Sequence, residues 1–235
     1  MKMKPRFGRV ITAMITPFTK EGAVDLDGAV ELARWLVDQG NDGLVLAGTT
    51  GESPTLTHDE QVALVEVVAD AVDVHVIAGA GSNDTVAAVE LTERCTVAGA
   101  DAILTVTPYY NRPSQAGLFE HFRVVAEATE LPVLLYDIPP RSGRKIELAT
   151  MLRLADEVDN VVGVKDAAGD LAETARVVAA APDGFEVYSG EDALTLALLA
   201  VGAVGVISVA SHWATPEMVV MMDAFFSGDL AGATV

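Results

Sequence analysis

Eight short apolar runs recur along the chain, each bounded by Gly, Pro or Asp and each followed by a longer segment with helical spacing. In order they are RVITAMITP, DGLVLAG, VHVIAGAG, DAILTVTP, PVLLYDIP, NVVGVKD, FEVYSGED and AVGVISVAS. Apolar residues follow one another in these runs without strict alternation, which is how strands covered on both faces read, as in parallel sheets. The segments between them carry helical stripes: Val30, Leu32, Ala33, Leu36 and Val37 from Asp27 to Gln39, and Val62, Leu64, Val65 and Val68 from Asp59 to Val72. Thr57 and Asp59 mark one helix start and Asp84 another. Eight βα units at near-regular spacing, with no dinucleotide fingerprint after the first strand, predict an α/β fold of the (β/α)8 barrel type rather than a doubly wound sheet. Residues 1–235 read as one domain.

Composition narrows the partners. A chain of 235 residues with 51% apolar residues can bury a sizeable core, and its net charge of −19, spread without blocks, repels phosphate backbones and anionic membranes. No nucleic acid is expected. The run from Ala193 to Ala210 is uncharged and as long as a membrane span. Gly202 and Gly205 split it, however, and no Lys or Arg flanks it, so it reads as a buried helix followed by a buried strand. The N-terminal MKMKPRFGRVITAMITPF begins basic, yet Thr12, Thr16 and Pro17 interrupt its apolar run and no small-residue cleavage site follows. Cys95 is the only cysteine and lies in a helical pattern, which suits a packed residue in a reducing, cytoplasmic setting.

The chemistry is sought where such barrels keep it, at the C-terminal ends of the strands. Thr49, Thr50 and Glu52 follow strand two, Tyr109 and Tyr110 strand four, Tyr136 and Arg141 strand five, Lys165 strand six, Ser189 and Gly190 strand seven, and Ser208 strand eight. Motif signals elsewhere are weak: GAGSND lacks the third glycine of a dinucleotide loop, and His58, His75, His121 and His212 lack ligand spacing, so no metal is expected. Lys165 closes an apolar run. Either it is a solvated strand end paired with Asp166, or its amine is partly desolvated there, which favours the neutral, nucleophilic form able to make a Schiff base with a ketone. Tyrosines nearby can relay protons.

GTTGESPTLTHDE, TVTPYYNRPSQAGLFEHF, LPVLLYDIPPRSG, VVGVKDAAGD, YSGEDAL and GVISVASH closely resemble, in order and spacing, segments of the dihydrodipicolinate synthase family of pyruvate-dependent class I aldolases, which also includes N-acetylneuraminate lyase. The resemblance spans about residues 8 to 230. It implies that Lys165 forms the Schiff base with pyruvate, that Tyr136, Thr50 and Tyr110 make a proton relay, and that Thr49 and Thr50 hold the pyruvate carboxylate. Ile207 corresponds to a residue whose backbone carbonyl lies near the nucleophile. Arg141 corresponds to the arginine that grips the carboxylate of L-aspartate 4-semialdehyde, a task suited to a planar guanidinium. With GTTGE, it places the chain on the synthase side of the family, making 4-hydroxy-tetrahydrodipicolinate on the diaminopimelate route to lysine, with no cofactor beyond the covalent adduct.

The resemblance also implies a homo-oligomer, a dimer at least and a tetramer built as a dimer of dimers, since Tyr110 corresponds to a residue supplied by the adjacent subunit. Two departures accompany it. The family continues for several helices beyond the position of Val235, and their absence is expected to expose apolar surface. Of the lysine feedback site, His58, Asn83 and Tyr109 match, but Ala87 stands in place of a glutamate and Gln61 replaces another member, so weak inhibition by lysine is expected. Two other readings stay open: an aldolase acting on a keto-deoxy sugar acid, and a non-catalytic truncated barrel.

Overall fold

The structure is a computed structural model and describes residues 5–234. Strands β1 (Val10–Ala13), β2 (Gly43–Leu46), β3 (His75–Gly79), β4 (Ala102–Val106), β5 (Val133–Asp137), β6 (Val161–Asp166), β7 (Glu186–Ser189) and β8 (Gly205–Ser208) form a closed barrel in sequence order. Every neighbouring pair is parallel, and β8 closes on β1 by pairing Val10 with Val206, Ile11 with Ile207 and Thr12 with Ser208. All eight expected strands are present. The run from Ala193 to Ala210 divides as its glycines suggest, into helix α8 (Thr195–Ala200) and then β8.

Alternation hidden in the apolar runs sorts the side chains into two layers. Ile11, Val45, Ile77, Leu104, Leu134, Tyr136 and Ile207 fill the barrel, closed below by Phe7 and Tyr188. Their neighbours Val10, Leu44, Leu46, Val76, Ile103, Leu135 and Val206 face the surrounding helices. Successive strand residues point to opposite faces, and both faces here are covered by apolar matter, so the period of two leaves no polar trace in the sequence.

Polar residues start the helices. Helix α1 (Leu26–Asp38) is capped by Asp25, whose carboxylate accepts from the Gly28 N–H, and α3 (Thr85–Val97) by Asp84. Helix α2 (His58–Ala69) opens with a reciprocal box in which Thr57 accepts from the Glu60 N–H and Glu60 accepts from the Thr57 N–H. Ser114 caps α4 (Gln115–Glu127) and Asp170 caps α7 (Leu171–Ala180). One short turn, α5 (Pro139–Ser142), precedes α6 (Leu148–Glu157), and α9 (Ser211–Ser227) follows β8 with a kink at Ala214 beside Pro216. Trp213, Val220 and Leu230 lie exposed on and after α9, at 72%, 65% and 61%.

One strand departs from regularity. Val133 pairs with Val161, but Leu134 pairs with Gly163, so β6 carries one extra residue, Val162, opposite β5. Beyond this bulge Tyr136 stands opposite Lys165, and Asp137 opposite Asp166. Gly163 fits the bulge because a Cβ there would lie 2.3 Å from the carbonyl oxygen of Glu186 on β7.

Candidate active site

Lys165 lies on β6 with 5% of its surface exposed, and its Nζ sits 4.6 Å from the centroid of the Tyr136 ring. A cation over an aromatic face is attracted to the ring, which offsets part of the loss of hydration. No carboxylate lies within ion-pair distance of its amine among the described residues. Burial lowers its pKa from 10.5 to about 8, against the opposing pull of Asp192. Pairing with Asp166, the bland alternative, does not occur: Asp166 faces the helices and accepts from the Ala168 N–H at 2.9 Å and the Thr174 hydroxyl at 2.5 Å.

Tyr136 is 6% exposed on the adjacent strand. Burial raises its pKa, while the Arg141 guanidinium and the Thr49 hydroxyl pull it down, so both of these groups lie near the phenol. Thr49 and Tyr136 also line one small cleft, together with Gly79 and Gly81. Those two glycines, the nearest imitation of a dinucleotide loop in the sequence, serve close packing instead. A Cβ on Gly79 would meet the Ala47 carbonyl oxygen at 2.5 Å, and one on Gly81 the Val106 nitrogen at 2.4 Å. Thr50 follows Thr49 in the same loop and is half-buried. The loop itself is bent tightly, with Ala47 at φ 49° and Glu52 at φ 59°, and is held by the Thr16 hydroxyl donating to the Gly51 carbonyl at 2.6 Å.

Arg141 is exposed on α5, at the rim. Ile207 packs its side chain into the inner layer, 1% exposed, which leaves its backbone as the group it can offer. Tyr110 stands apart from the other expected residues. Its side chain is 89% exposed, and its backbone takes φ 72°, a region costly for a bulky residue. Within one chain it is solvent-facing.

Two acids without an assigned role in the sequence bear on the site. Asp192, at the mouth beyond β7, accepts from the Val209 and Ala210 N–H groups at 3.1 and 2.9 Å with Oδ2, and its Oδ1 is buried without a partner among the described residues. Asp137 is 3% exposed behind Tyr136. Each is one acid among 34, set apart in the sequence only by lying within the segments YSGEDAL and LPVLLYDIPPRSG. Elsewhere, burial pushes the Cys95 thiol up to about 12 and the buried His121 down to about 4, so one stays a thiol and the other neutral at pH 7. A cavity of about 720 Å³ opens at the opposite, N-terminal end near Asp42, His75 and Asp101 and holds none of the expected site residues. Strand-end chemistry decides the site here, not cavity size.

Fold and mouth together define a class: a (β/α)8 barrel enzyme with a buried amine at the C-terminal ends of its strands. The chain belongs to the dihydrodipicolinate synthetase family, whose model matches residues 6–235. The 4-hydroxy-tetrahydrodipicolinate synthase of Moorella thermoacetica is 54% identical over 230 residues, which are 97% of this chain and 78% of that protein. Among solved structures, a dihydrodipicolinate synthase from Bacillus anthracis superposes with a TM-score of 0.95 at 47% identity, over 98% of this chain and 79% of that one. The DHDPS of Cyanidioschyzon merolae, solved with lysine bound, gives 0.96 at 46% identity, over 98% and 80%.

Proposed function

We propose that the protein condenses pyruvate with L-aspartate 4-semialdehyde to give 4-hydroxy-tetrahydrodipicolinate, on the diaminopimelate route to lysine, through a Schiff base on Lys165. The observation that carries this reading is the buried amine packed on Tyr136, with a pKa of about 8. In its neutral form Lys165 adds to the ketone carbon of pyruvate. Loss of the oxygen as water leaves a cationic imine, and that cation draws electrons from the methyl carbon so that it can lose a proton and attack the aldehyde. Tyr136 stays protonated near neutral pH, so it can donate a proton to the departing oxygen and receive one back. Thr49 and Thr50, in the tight loop after β2, hold the pyruvate carboxylate, and Ile207 offers its backbone carbonyl to the site. Arg141 takes the carboxylate of the semialdehyde at the rim.

Tyr110 completes the relay in the mouth of a second copy. A bulky, strained and exposed side chain is poorly used by its own chain and well placed to enter a neighbour's site. The working unit is therefore a dimer at least, and a pair of dimers in the full assembly, acting in the cytoplasm. The mechanism draws on no metal or organic cofactor, since the imine is itself the electron sink. Treatment with pyruvate and borohydride followed by peptide mass analysis should label Lys165; an unlabelled Lys165 sinks the mechanism. Arg141→Ala should raise KM for the semialdehyde far more than KM for pyruvate, and a preference for glyceraldehyde over the semialdehyde would move the reading to a sugar-acid aldolase.

A further inference from the structure

Asp137 ends β5 directly after Tyr136, and alternation turns its carboxyl away from the barrel interior to the helix side of the wall. A carboxyl buried to 3% exposure is costly unless something requires it there. Burial pushes its pKa up to about 7; the Ile146 N–H lowers it, Asp166 raises it, Lys145 lowers it and Glu173 raises it. Asp166 faces it from β6, Glu173 from α7 and Lys145 from the following loop, where Lys145 is already paired with Glu173 at 2.7 Å. So Asp137 has no cation of its own.

What Asp137 does hold is a loop. Its Oδ1 accepts from the Ile146 N–H at 3.1 Å, which joins the two ends of the excursion 138–145. Inside, the Ser142 hydroxyl donates to the carbonyls of Ile138 at 3.0 Å and Arg144 at 2.8 Å, and the Gly143 N–H donates to Pro139 at 2.9 Å. Arg141 rides on this closed excursion. The neighbouring loop leans on it as well: the Tyr110 N–H donates to the Ser142 carbonyl at 3.2 Å and Arg112 Nε to Gly143 at 3.0 Å.

We propose that Asp137 is a positioning residue for recognition of the second substrate: its clasp on Ile146 holds the excursion that presents Arg141, a role that rests on Arg141 taking the semialdehyde carboxylate. Lys165 does not depend on that clasp. Loss of the acceptor therefore loosens semialdehyde binding and leaves imine formation intact.

The test compares Asp137→Ala, which removes the acceptor, with Asp137→Asn, which keeps an oxygen for the Ile146 N–H, each alone and combined with Arg141→Ala. Asp137→Ala should raise KM for the semialdehyde about five- to tenfold, the worth of one buried hydrogen bond. KM for pyruvate and borohydride labelling of Lys165 should change less than about twofold, within the usual scatter for a site not touched. Asp137→Asn should keep KM near the parent value. In the Arg141→Ala background Asp137→Ala should add nothing, because it acts through the missing guanidinium. Full additivity, an Asn variant as impaired as the Ala one, or an equal rise in both KM values overturns the proposal while leaving Arg141 in place. An Arg141→Ala enzyme with unchanged semialdehyde KM removes the reading of Arg141 first, and the clasp's role with it. Should Asp137→Ala fail to fold, Ser142→Ala opens the same excursion from inside, and an unaltered semialdehyde KM there also overturns the proposal.

Discussion

The titration of Lys165 is the most direct probe of the site, and pH is the perturbation. With a pKa of about 8, roughly one amine in ten is neutral at pH 7, against about one in 3,000 for an ordinary lysine at 10.5. Burial thus supplies about a 300-fold gain in the attacking form, or about 3 kcal/mol. Since kcat/KM reports the free enzyme, its value for pyruvate should climb about tenfold per unit between pH 6 and 7 and level off near 8. Initial rates at saturating semialdehyde, measured from pH 6 to 9.5, give the curve, and borohydride labelling of Lys165 at each pH checks that imine formation follows it. Asp192 raises the Lys165 pKa, so Asp192→Asn, which can still accept from Val209 and Ala210, should move the rising limb to lower pH. A limb centred near 10.5, or an Asn variant whose limb moves up, would refute the account of the amine as desolvated, with a pKa partly raised again by that carboxylate.

Burial of the ammonium also costs stability. Because the folded pKa lies below the unfolded one, the penalty is complete below about pH 8 and is relieved as pH rises to about 10.5. Lys165→Met should therefore abolish activity yet stabilise the fold at pH 7 by up to about 3 kcal/mol, read as a melting temperature several degrees higher; a lower melting temperature contradicts the penalty. Inhibition by lysine should be weak, since Ala87 offers no carboxylate and Gln61 is buried with its amide donating to the Ser53 and Leu56 carbonyls at 2.9 and 3.3 Å. Strong inhibition at physiological lysine concentration would count against it. Gly163→Ala should cost about 1–3 kcal/mol of stability and at least tenfold in imine formation, since the added carbon meets backbone rather than a movable side chain. Wild-type labelling in that variant would show that the bulge does not aim the lysine.

The barrel was legible because its strands are short, apolar on both faces and punctuated by Gly, Pro or Asp, so that eight runs stood out by spacing alone. Lys165 was legible by its place at a run's end. Tyr136, Thr49 and Arg141 were legible as motif residues, and the fold brings all three to the same mouth. The layering of the walls was not, because an unbroken apolar run gives no sign of which residues face in. Asp137 and Asp192 were illegible for a related reason: an acid that is buried and holding backbone N–H groups looks like any solvated one until the loops that return to it are placed.

The bulge in β6 shows how much one inserted residue decides. Val161 faces the helices, and strict alternation from it would send Gly163 and Lys165 the same way, into the outer layer. Because Val162 is extra, the phase is reversed from Gly163 onward, Val164 joins the outer layer, and Lys165 turns inward over Tyr136. A one-residue shift of register carries every side chain beyond it to the opposite face. Without the bulge the amine would stand among helices and Asp166 would occupy the barrel mouth, with an acid where the proposed mechanism needs a nucleophile. With it, a single pair of strands serves two tasks at once: Tyr136 and Lys165 face the barrel mouth, while Asp137 and Asp166, one step further, tie down the loops that surround it. The inward turn of Lys165 in the short NVVGVKD run therefore depends on the bulge that Gly163 accommodates as well as on the lysine's place in the run.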